Sequence, residues 1–434
     1  MAEEIEYDAD VIVVGAGFAG CVAAYTLAQA GKAVLMIERG NYAGSKNMTG
    51  GRFYSHSLKK VFPNVEKEAP IERKVTHEKI SLMTAESNFT VDFTSPKLGE
   101  EGQDSYTVLR GPFDQWLAEQ AENAGVECIY GIRVDSLIVN DGKVQGVVAG
   151  DDELHAPIVI LADGVNSLLA QQLGFLPEPS PSQMAVGAKE VIELGEDVIN
   201  DRFNLAPGEG TAWLFAGDAT AGRIGGGIIY TNKTSVSLGV VATLGDAPKG
   251  DVSVPQMVEN LKNHPAVAPL IEGGKTIEYP GHMVPEGGYN MLPKMVGNGV
   301  LVTGDAAMLC INLGYLVRGM DFAVASGQMA AEAAIEALDA EDYSEAKLSS
   351  YKTKMENSFV MRDIKAVQKW PETMEGFGRM FSQYPSMIEK IMLSMFVVDG
   401  KTEATPLKQK LMGPVKEIGL FSILGDVRKA VKAL

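Results

Sequence analysis

Between Val11 and Glu38 the chain reads VIVVGAGFAGCVAAYTLAQAGKAVLMIE: an apolar β-branched run, glycines at 15, 17 and 20, a stretch of helical composition, and a second apolar run. That order predicts strand, tight turn, helix and a second buried strand, a βαβ unit. Gly15 permits the turn, Gly17 lets the backbone approach a pyrophosphate, and Gly20 allows the helix to pack closely on the strand. Ala16, Phe18 and Ala19 complete the helix start, where the positive helix end receives the phosphates. Glu38 closes the second strand, placed to accept hydrogen bonds from ribose hydroxyls and to repel a 2′-phosphate, and Arg39 follows it.

Beyond this unit, the pattern predicts a hairpin from ISLMTA and FTVDF, then a helix from RGPFDQWLAEQAENAG ending at Gly125. Short strands follow, with an Asn-Asp-Gly turn at 140–142 and a buried strand ending at Asp163-Gly164. Residues 180–290 read as strand and turn around one helix near VPQMVENLKNHPAVAPLI, and DFAVASGQMAAEAAIEALDAE reads as a long alanine-rich helix. The expected division is a discontinuous nucleotide-binding domain over 1–60, 105–180 and 285–345, a β-rich substrate domain over 61–104 and 181–284, and a helical region over 346–434.

A formal charge of -18 over 434 residues argues against binding nucleic acid or an acidic membrane non-specifically. Cys21, Cys128 and Cys310 are isolated, so neither a disulfide framework nor a cysteine-ligated cluster is expected, and a reducing cytoplasm fits. The acidic start does not read as a secretory leader. No apolar run reaches the roughly 18 residues that a spanning helix needs, so any membrane contact is expected to be peripheral. His56, His77, His155, His264 and His282 show no metal-ligating spacing, and no metal is expected.

The glycine motif alone does not separate NAD from FAD. Two later stretches favour FAD, whose ribityl chain and flavin must be held by distant segments: VILADGVNS at 159–167, and GDAAMLCINLGYLVRGMD at 304–321. Taken in order, GAGFAG with Glu38, VLRGPFDQWLAEQA, LADGVNS and GVLVTGDAA resemble the flavoproteins that include aromatic hydroxylases, geranylgeranyl reductases and electron transfer flavoprotein–quinone oxidoreductases. The strings ERGNYAGSKNMTGGRFYSHSL, THEKI, VPQMVENLKNHPAVAPLI, NMLPKMVGNGVLVTGDAA and NLGYLVRGMD are similar to the FixC flavoproteins of FixABCX complexes. The resemblance implies an α/β fold: a Rossmann-like FAD-binding domain of the glutathione reductase/p-hydroxybenzoate hydroxylase type, an inserted antiparallel β-sheet substrate domain, and a mostly helical C-terminal region.

The resemblance also implies site residues. Asp305, after Gly304, would bind a ribityl hydroxyl, and Gly314 would let the backbone lie close to the flavin ring. Arg110 would lie near the phosphates or ribityl chain, with a solvated surface arginine as the open alternative. Val134 would lend its backbone to the adenine, or be a plain core valine. Lys46, Asn47, Thr49, Gly50 and Gly51 form a loop suited to closing over the cofactor, because paired glycines suit close backbone approach. Met308 stands where many relatives have glycine. Asp321 reads as a helix cap, Cys310 as a small buried hydrophobe, and His282 as a structural histidine with a flavin-facing position as the alternative.

No catalytic dyad stands out, which suits chemistry carried by the flavin itself. The resemblance implies electron transfer from an electron transfer flavoprotein of FixA/FixB type to quinone, with a separate ferredoxin-like FixX subunit. Saturation of isoprenoid double bonds, as in geranylgeranyl reductases, is the alternative, as is a non-turnover FAD relay within a complex. Near the C-terminus, Lys408, Lys410, Lys416, Arg428, Lys429 and Lys432 face only Glu417 and Asp426, a local basic excess that suggests membrane-surface or partner docking; solvated core helices are the plainer account.

Overall fold

The computed structural model describes residues 6–48, 50–401 and 405–434. The candidate residue Thr49 lies outside them.

The expected βαβ unit is present. Val11–Val14 runs at the centre of a six-stranded sheet, flanked in parallel by Val34–Glu38 and Ile158–Leu161. Glu127–Tyr130 and Val300–Val302 extend the parallel order outward, and Val296–Gly297 adds an antiparallel edge. Val11–Val14 and Ile158–Leu161 are buried at every residue, as a parallel sheet covered on both faces requires. Three helices, Phe18–Gln29, Arg110–Asn123 and Met320–Asp339, pack around this sheet's glycine turn. The first and third approach to backbone contact: a Cβ on Gly327 would lie 2.3 Å from the Ala19 carbonyl oxygen. The small residues of the alanine-rich helix therefore fix an inter-helix distance as well as helical propensity.

The second sheet has ten strands, mostly antiparallel, with Met184–Glu193, Ser235–Thr243, Gly225–Thr231 and Glu209–Gly217 as consecutive neighbours. Glu209–Gly217 then pairs in parallel with Ile71–Met83, which forms the expected hairpin with Asn88–Thr94. Gly51–Tyr54 and Ser105–Val108 also pair within this sheet, although they fall in segments expected to belong to the nucleotide-binding domain. Composition marks a strand without naming its hydrogen-bonding partner, so the chain crosses between the sheets earlier than the pattern suggests. The Asn-Asp-Gly turn joins Val134–Asn140 to Lys143–Ala149 with both Asp141 and Gly142 left-handed, as a tight hairpin turn demands.

The ten-stranded sheet is tied by Arg73, which is 2% exposed and donates to the carbonyls of Asn232, Lys233 and Glu209 and to Asn200 Oδ1. Its cost of burial is met by four acceptors in place of a carboxylate.

From residue 345 the described residues are mostly helical. Gln383–Phe396, Leu407–Ile418 and Leu420–Ala433 form the last layer, and Asp426 anchors it by accepting from Arg379 at 2.7 Å on each carboxylate oxygen and from the Tyr384 hydroxyl at 2.6 Å. A ribbon formed by Ile311–Asn312 and Val317–Arg318 leans on this layer, with Leu313 packed against Trp370 and Ala433. The layer leaves large apolar side chains in water, among them Phe396 at 74%, Val398 at 89% and Phe421 at 90% exposure. Among the described residues no helix is long and apolar enough to cross a membrane.

Candidate functional site

The strand Val11–Val14 ends at Gly15, whose φ of +103° and whose absent Cβ, 2.4 Å from the Ala162 carbonyl oxygen if present, leave no room for another residue. A Cβ on Gly20 would fall 1.8 Å from the Gly15 carbonyl oxygen, so the helix seats directly on the turn. Gly17 is open, its nearest atom being an Arg110 Nη2 4.0 Å from the Cβ position. The helix beyond it begins without a side-chain cap and without an acidic residue in its first turn. Its first amides therefore remain available to an anion.

Glu38 is held from behind. The Ala16 amide donates to Oε2 at 2.9 Å and the Gly40 amide to Oε1 at 2.7 Å, which fixes the carboxylate with acceptor capacity left for hydroxyl groups. Next along the sheet edge, Asp163 places a carboxyl whose Oδ1 is buried without a hydrogen-bond partner; burial pushes its pKa up to about 6.

These groups open onto a cavity of about 540 Å³ between the carboxyl edge of the six-stranded sheet and the ten-stranded sheet. Gly15, Gly17, Phe18, Ala19, Glu38 and Arg39 form one part of its wall, joined by Val134, Asp163 and Gly164. Lys46, Asn47, Gly50, Gly51, Arg110 and Asp305 form another. Ala16 and Gly20 stand behind the wall, one holding Glu38 and the other the helix. Gly304 is also behind it, a packing glycine whose Cβ would meet that of Ala19 at 2.7 Å and whose amide donates to Ser326 Oγ.

Arg110 is no surface arginine. Its Nε and Nη2 each donate to the fully buried Asp114 at 2.9 Å, Asn47 donates to the same carboxylate, and the guanidinium lies 4.7 Å from the Phe18 ring centroid. Asp305 has no hydrogen-bond partner for its carboxylate among the described residues. Burial raises its pKa, while Arg110 and His282 pull it down. Both residues thus turn charge toward the cavity in company that limits what each can bind.

Further residues are placed by the fold. Gly314 does not approach the cavity: it occupies the tip of the ribbon with φ +81°, its amide bonded to Asn312 Oδ1, because the turn needs a left-handed residue there. Asp321 is not a helix cap, since Gly319 takes that position. The Asp321 carboxylate is instead bound by Arg318 and His56, deep enough to be 0% exposed. His282 is on the cavity wall, brought there by pairing of Gly281–Pro285 with Met184–Glu193. Met308 is buried with φ +58°, which explains why glycine would suit the position, and it does not line the cavity.

Sequence reasoning missed the residues that the ten-stranded sheet delivers. Arg52, Lys189 and Tyr230 come from three different strands of the ten-stranded sheet and line the same cavity as the glycine turn. No local motif marks them, because their proximity is set by strand order alone. Cys310 also reaches the wall, where burial raises its pKa and keeps it a neutral thiol.

A glycine turn with free amides, a fixed carboxylate for a ribose, and a cavity continuing past them to a second sheet define a flavin-adenine dinucleotide-binding flavoprotein. The unpartnered Asp163 oxygen and the open face of Gly17 are what such a cofactor fits. Residues 8–200 match the FAD binding domain family, and residues 370–434 match the ETF-QO/FixC family C-terminal domain. The chain belongs to the FixC and electron transfer flavoprotein–quinone oxidoreductase family. It is 53% identical to the probable electron transfer flavoprotein-quinone oxidoreductase YdiS of Escherichia coli K12, over 98% of this chain and 99% of that one. It is 49% identical to the protein FixC of Salmonella typhi over the same shares. Among solved structures it resembles a geranylgeranyl bacteriochlorophyll reductase-like protein from Thermoplasma acidophilum, with a TM-score of 0.72 and 20% identity over 98% of this chain and 99% of that one. That last likeness is one of fold.

Proposed function

We propose that this chain transfers electrons from an electron transfer flavoprotein to a quinone through one FAD held in the cavity. The observation that carries the reading is the cavity's span. Its wall joins the glycine turn and Glu38 of one sheet to Arg52, Lys189 and Tyr230 of the other, around about 540 Å³ of space. The 53% identity, over 98% of this chain, to a probable electron transfer flavoprotein-quinone oxidoreductase of Escherichia coli supports the same reaction class.

FAD supplies the redox chemistry when bound. The chain's own residues bind and orient. The first amides of Phe18–Gln29 receive the phosphates, Glu38 and Asp163 accept hydroxyl donors, and Arg110, locked by Asp114, keeps a cation beside Phe18. Phe18, Val134, Met283 and Met320 supply apolar wall that excludes water from the interior.

The electron donor is a partner of FixA/FixB type, and a ferredoxin-like FixX subunit supplies any iron–sulfur centre, because three separated cysteines cannot ligate one in this chain. The exposed apolar side chains of the last helical layer, beside the basic excess of that region, favour peripheral docking on a lipid surface that carries quinone. The test is anaerobic mixing of the purified flavoprotein with a reduced electron transfer flavoprotein, followed by a short-chain quinone. Flavin reduction by the partner and reoxidation by the quinone are expected. Reoxidation only by an isoprenoid diphosphate, with saturation of its double bond, would overturn the reading.

A further inference from the structure

The cations buried around this site are nearly all matched. Arg52 is paired with Glu78, Arg110 with Asp114, and Arg318 with Asp321 and Asp363. Arg39 and Lys46, also on the wall, are exposed and solvated. Lys189 differs from both groups.

It lies on Met184–Glu193 with its side chain largely covered, and it has no ion pair with a carboxylate among the described residues. Its Nζ donates to the Gly50 carbonyl at 2.6 Å and stands 5.9 Å from the Tyr230 ring centroid. The surroundings make room for it. A Cβ on Gly239 would collide with Lys189 Cγ at 2.3 Å, and one on Gly50 would lie 2.0 Å from Ser237 Oγ. The loop through Gly50 is thus pressed onto the sheet at the point where the lysine emerges. Burial, with the nearby Arg110 charge, holds the Lys189 pKa down to about 8.

An ammonium kept in a cavity without a counter-ion is costly unless a ligand supplies one. The phosphates are provided for elsewhere, at the glycine turn. Lys189 comes from the ten-stranded sheet, whereas Glu38 and the glycine turn belong to the six-stranded one, and it lines the same cavity. We propose that the Lys189 ammonium is the counter-charge for the negative charge that the cofactor gains on reduction. The inference rests on FAD occupying the cavity. A fixed cation facing charge that develops during a reaction stabilises the charged form without reorganisation. It therefore favours the reduced over the oxidised cofactor and makes the bound flavin easier to reduce.

The informative variant is K189Q, whose amide keeps a donor for the Gly50 carbonyl while removing the charge. Two readouts on the FAD-loaded full chain separate charge from structure: the two-electron midpoint potential by equilibration with a reference dye, and the affinity for sulfite by absorbance titration. K189Q is expected to shift the reduction equilibrium at least tenfold toward the oxidised form, about 30 mV more negative for two electrons, and to weaken sulfite binding at least tenfold. K189R is expected to restore both. Shifts below tenfold in K189Q, or an equal loss in K189R, overturn the role. If K189Q does not retain FAD, K189M is measured by the same criteria. Loss of FAD from both neutral variants with retention in K189R marks a charge that holds the oxidised cofactor and overturns the role in reduction, and loss from all three marks a structural residue. An unaltered chain that binds no FAD would defeat the cofactor assignment itself, a different result from an unmoved potential.

Discussion

The Ala16 amide donates to Glu38 Oε2 at 2.9 Å, tying the glycine turn to the end of the next strand across 22 residues. With the Gly40 amide on Oε1, the carboxylate is fixed before any ligand arrives. E38A removes both the ribose acceptor and this brace. FAD affinity of the apoprotein should fall ten- to hundredfold, about 1.4–2.8 kcal/mol, as read by quenching of FAD fluorescence. Unchanged affinity would remove Glu38 from the site.

The two helix-start glycines are expected to fail differently. G20A drives a methyl into the Gly15 carbonyl, whereas the Gly17 position is open apart from Arg110. G20A should lower stability by about 2 kcal/mol or more in urea, as overpacking against backbone does, and G17A by less than about 1 kcal/mol. The G17A defect should appear instead in FAD binding, where the added methyl meets the phosphates.

Replacing Arg110 exposes a different dependence. Asp114 is 0% exposed, and it would keep only the Asn47 amide. R110M is expected to cost about 3–5 kcal/mol, the penalty for stranding one member of a buried pair. The R110M/D114N double variant should recover much of that loss in equilibrium unfolding. Additive losses would show that the two side chains are not coupled.

Asp163 gives the apoprotein a pH dependence of predictable sign. Burial lifts its pKa from 3.8 to about 6, so between those values the folded chain holds the proton more tightly than the unfolded chain. The stability it contributes is full below pH 3.8 and is lost as pH rises through about 6. D163N should match the unaltered apoprotein in acid and exceed it at neutral pH by up to roughly 3 kcal/mol. A stability difference that does not grow with pH would contradict the buried, unpartnered carboxyl.

The outer helices offer a simpler measurement. Phe396 and Phe421 are 74% and 90% exposed, so F396E/F421E should leave the fold and FAD content unchanged. Cosedimentation with vesicles of mixed zwitterionic and anionic lipid should drop at least fivefold. Equal binding by the variant would place the lipid contact elsewhere.

What the sequence made legible was local. Gly15, Gly17, Gly20 and Glu38 are bound by a spacing that only one strand–turn–helix–strand geometry satisfies, and the 71–94 hairpin and the 140–142 turn follow from alternation and turn chemistry. Arg110 was legible as a position but not as a pair, since Asp114 announces a helical neighbour without revealing that it is buried. Lys189, Arg52, Tyr230 and His282 were beyond reach as a group, because they meet only through the order of strands in the ten-stranded sheet. Gly314, a glycine near a cofactor motif in sequence, takes the tip of the ribbon turn and is not among the residues that line the cavity.

The ribbon at 311–318 has two faces with different clients. Val317 is part of the cavity wall, while Leu313 rests on Trp370 and Ala433. Residues 370–434, which match the ETF-QO/FixC family C-terminal domain, thus pack behind the ribbon that forms part of the cavity wall. Cutting the chain there would do more than delete a docking surface, since the wall would lose its outer support. On the docking proposed above, a partner or lipid surface that shifted the last helices would push on the ribbon, and through it on the cavity wall at Val317.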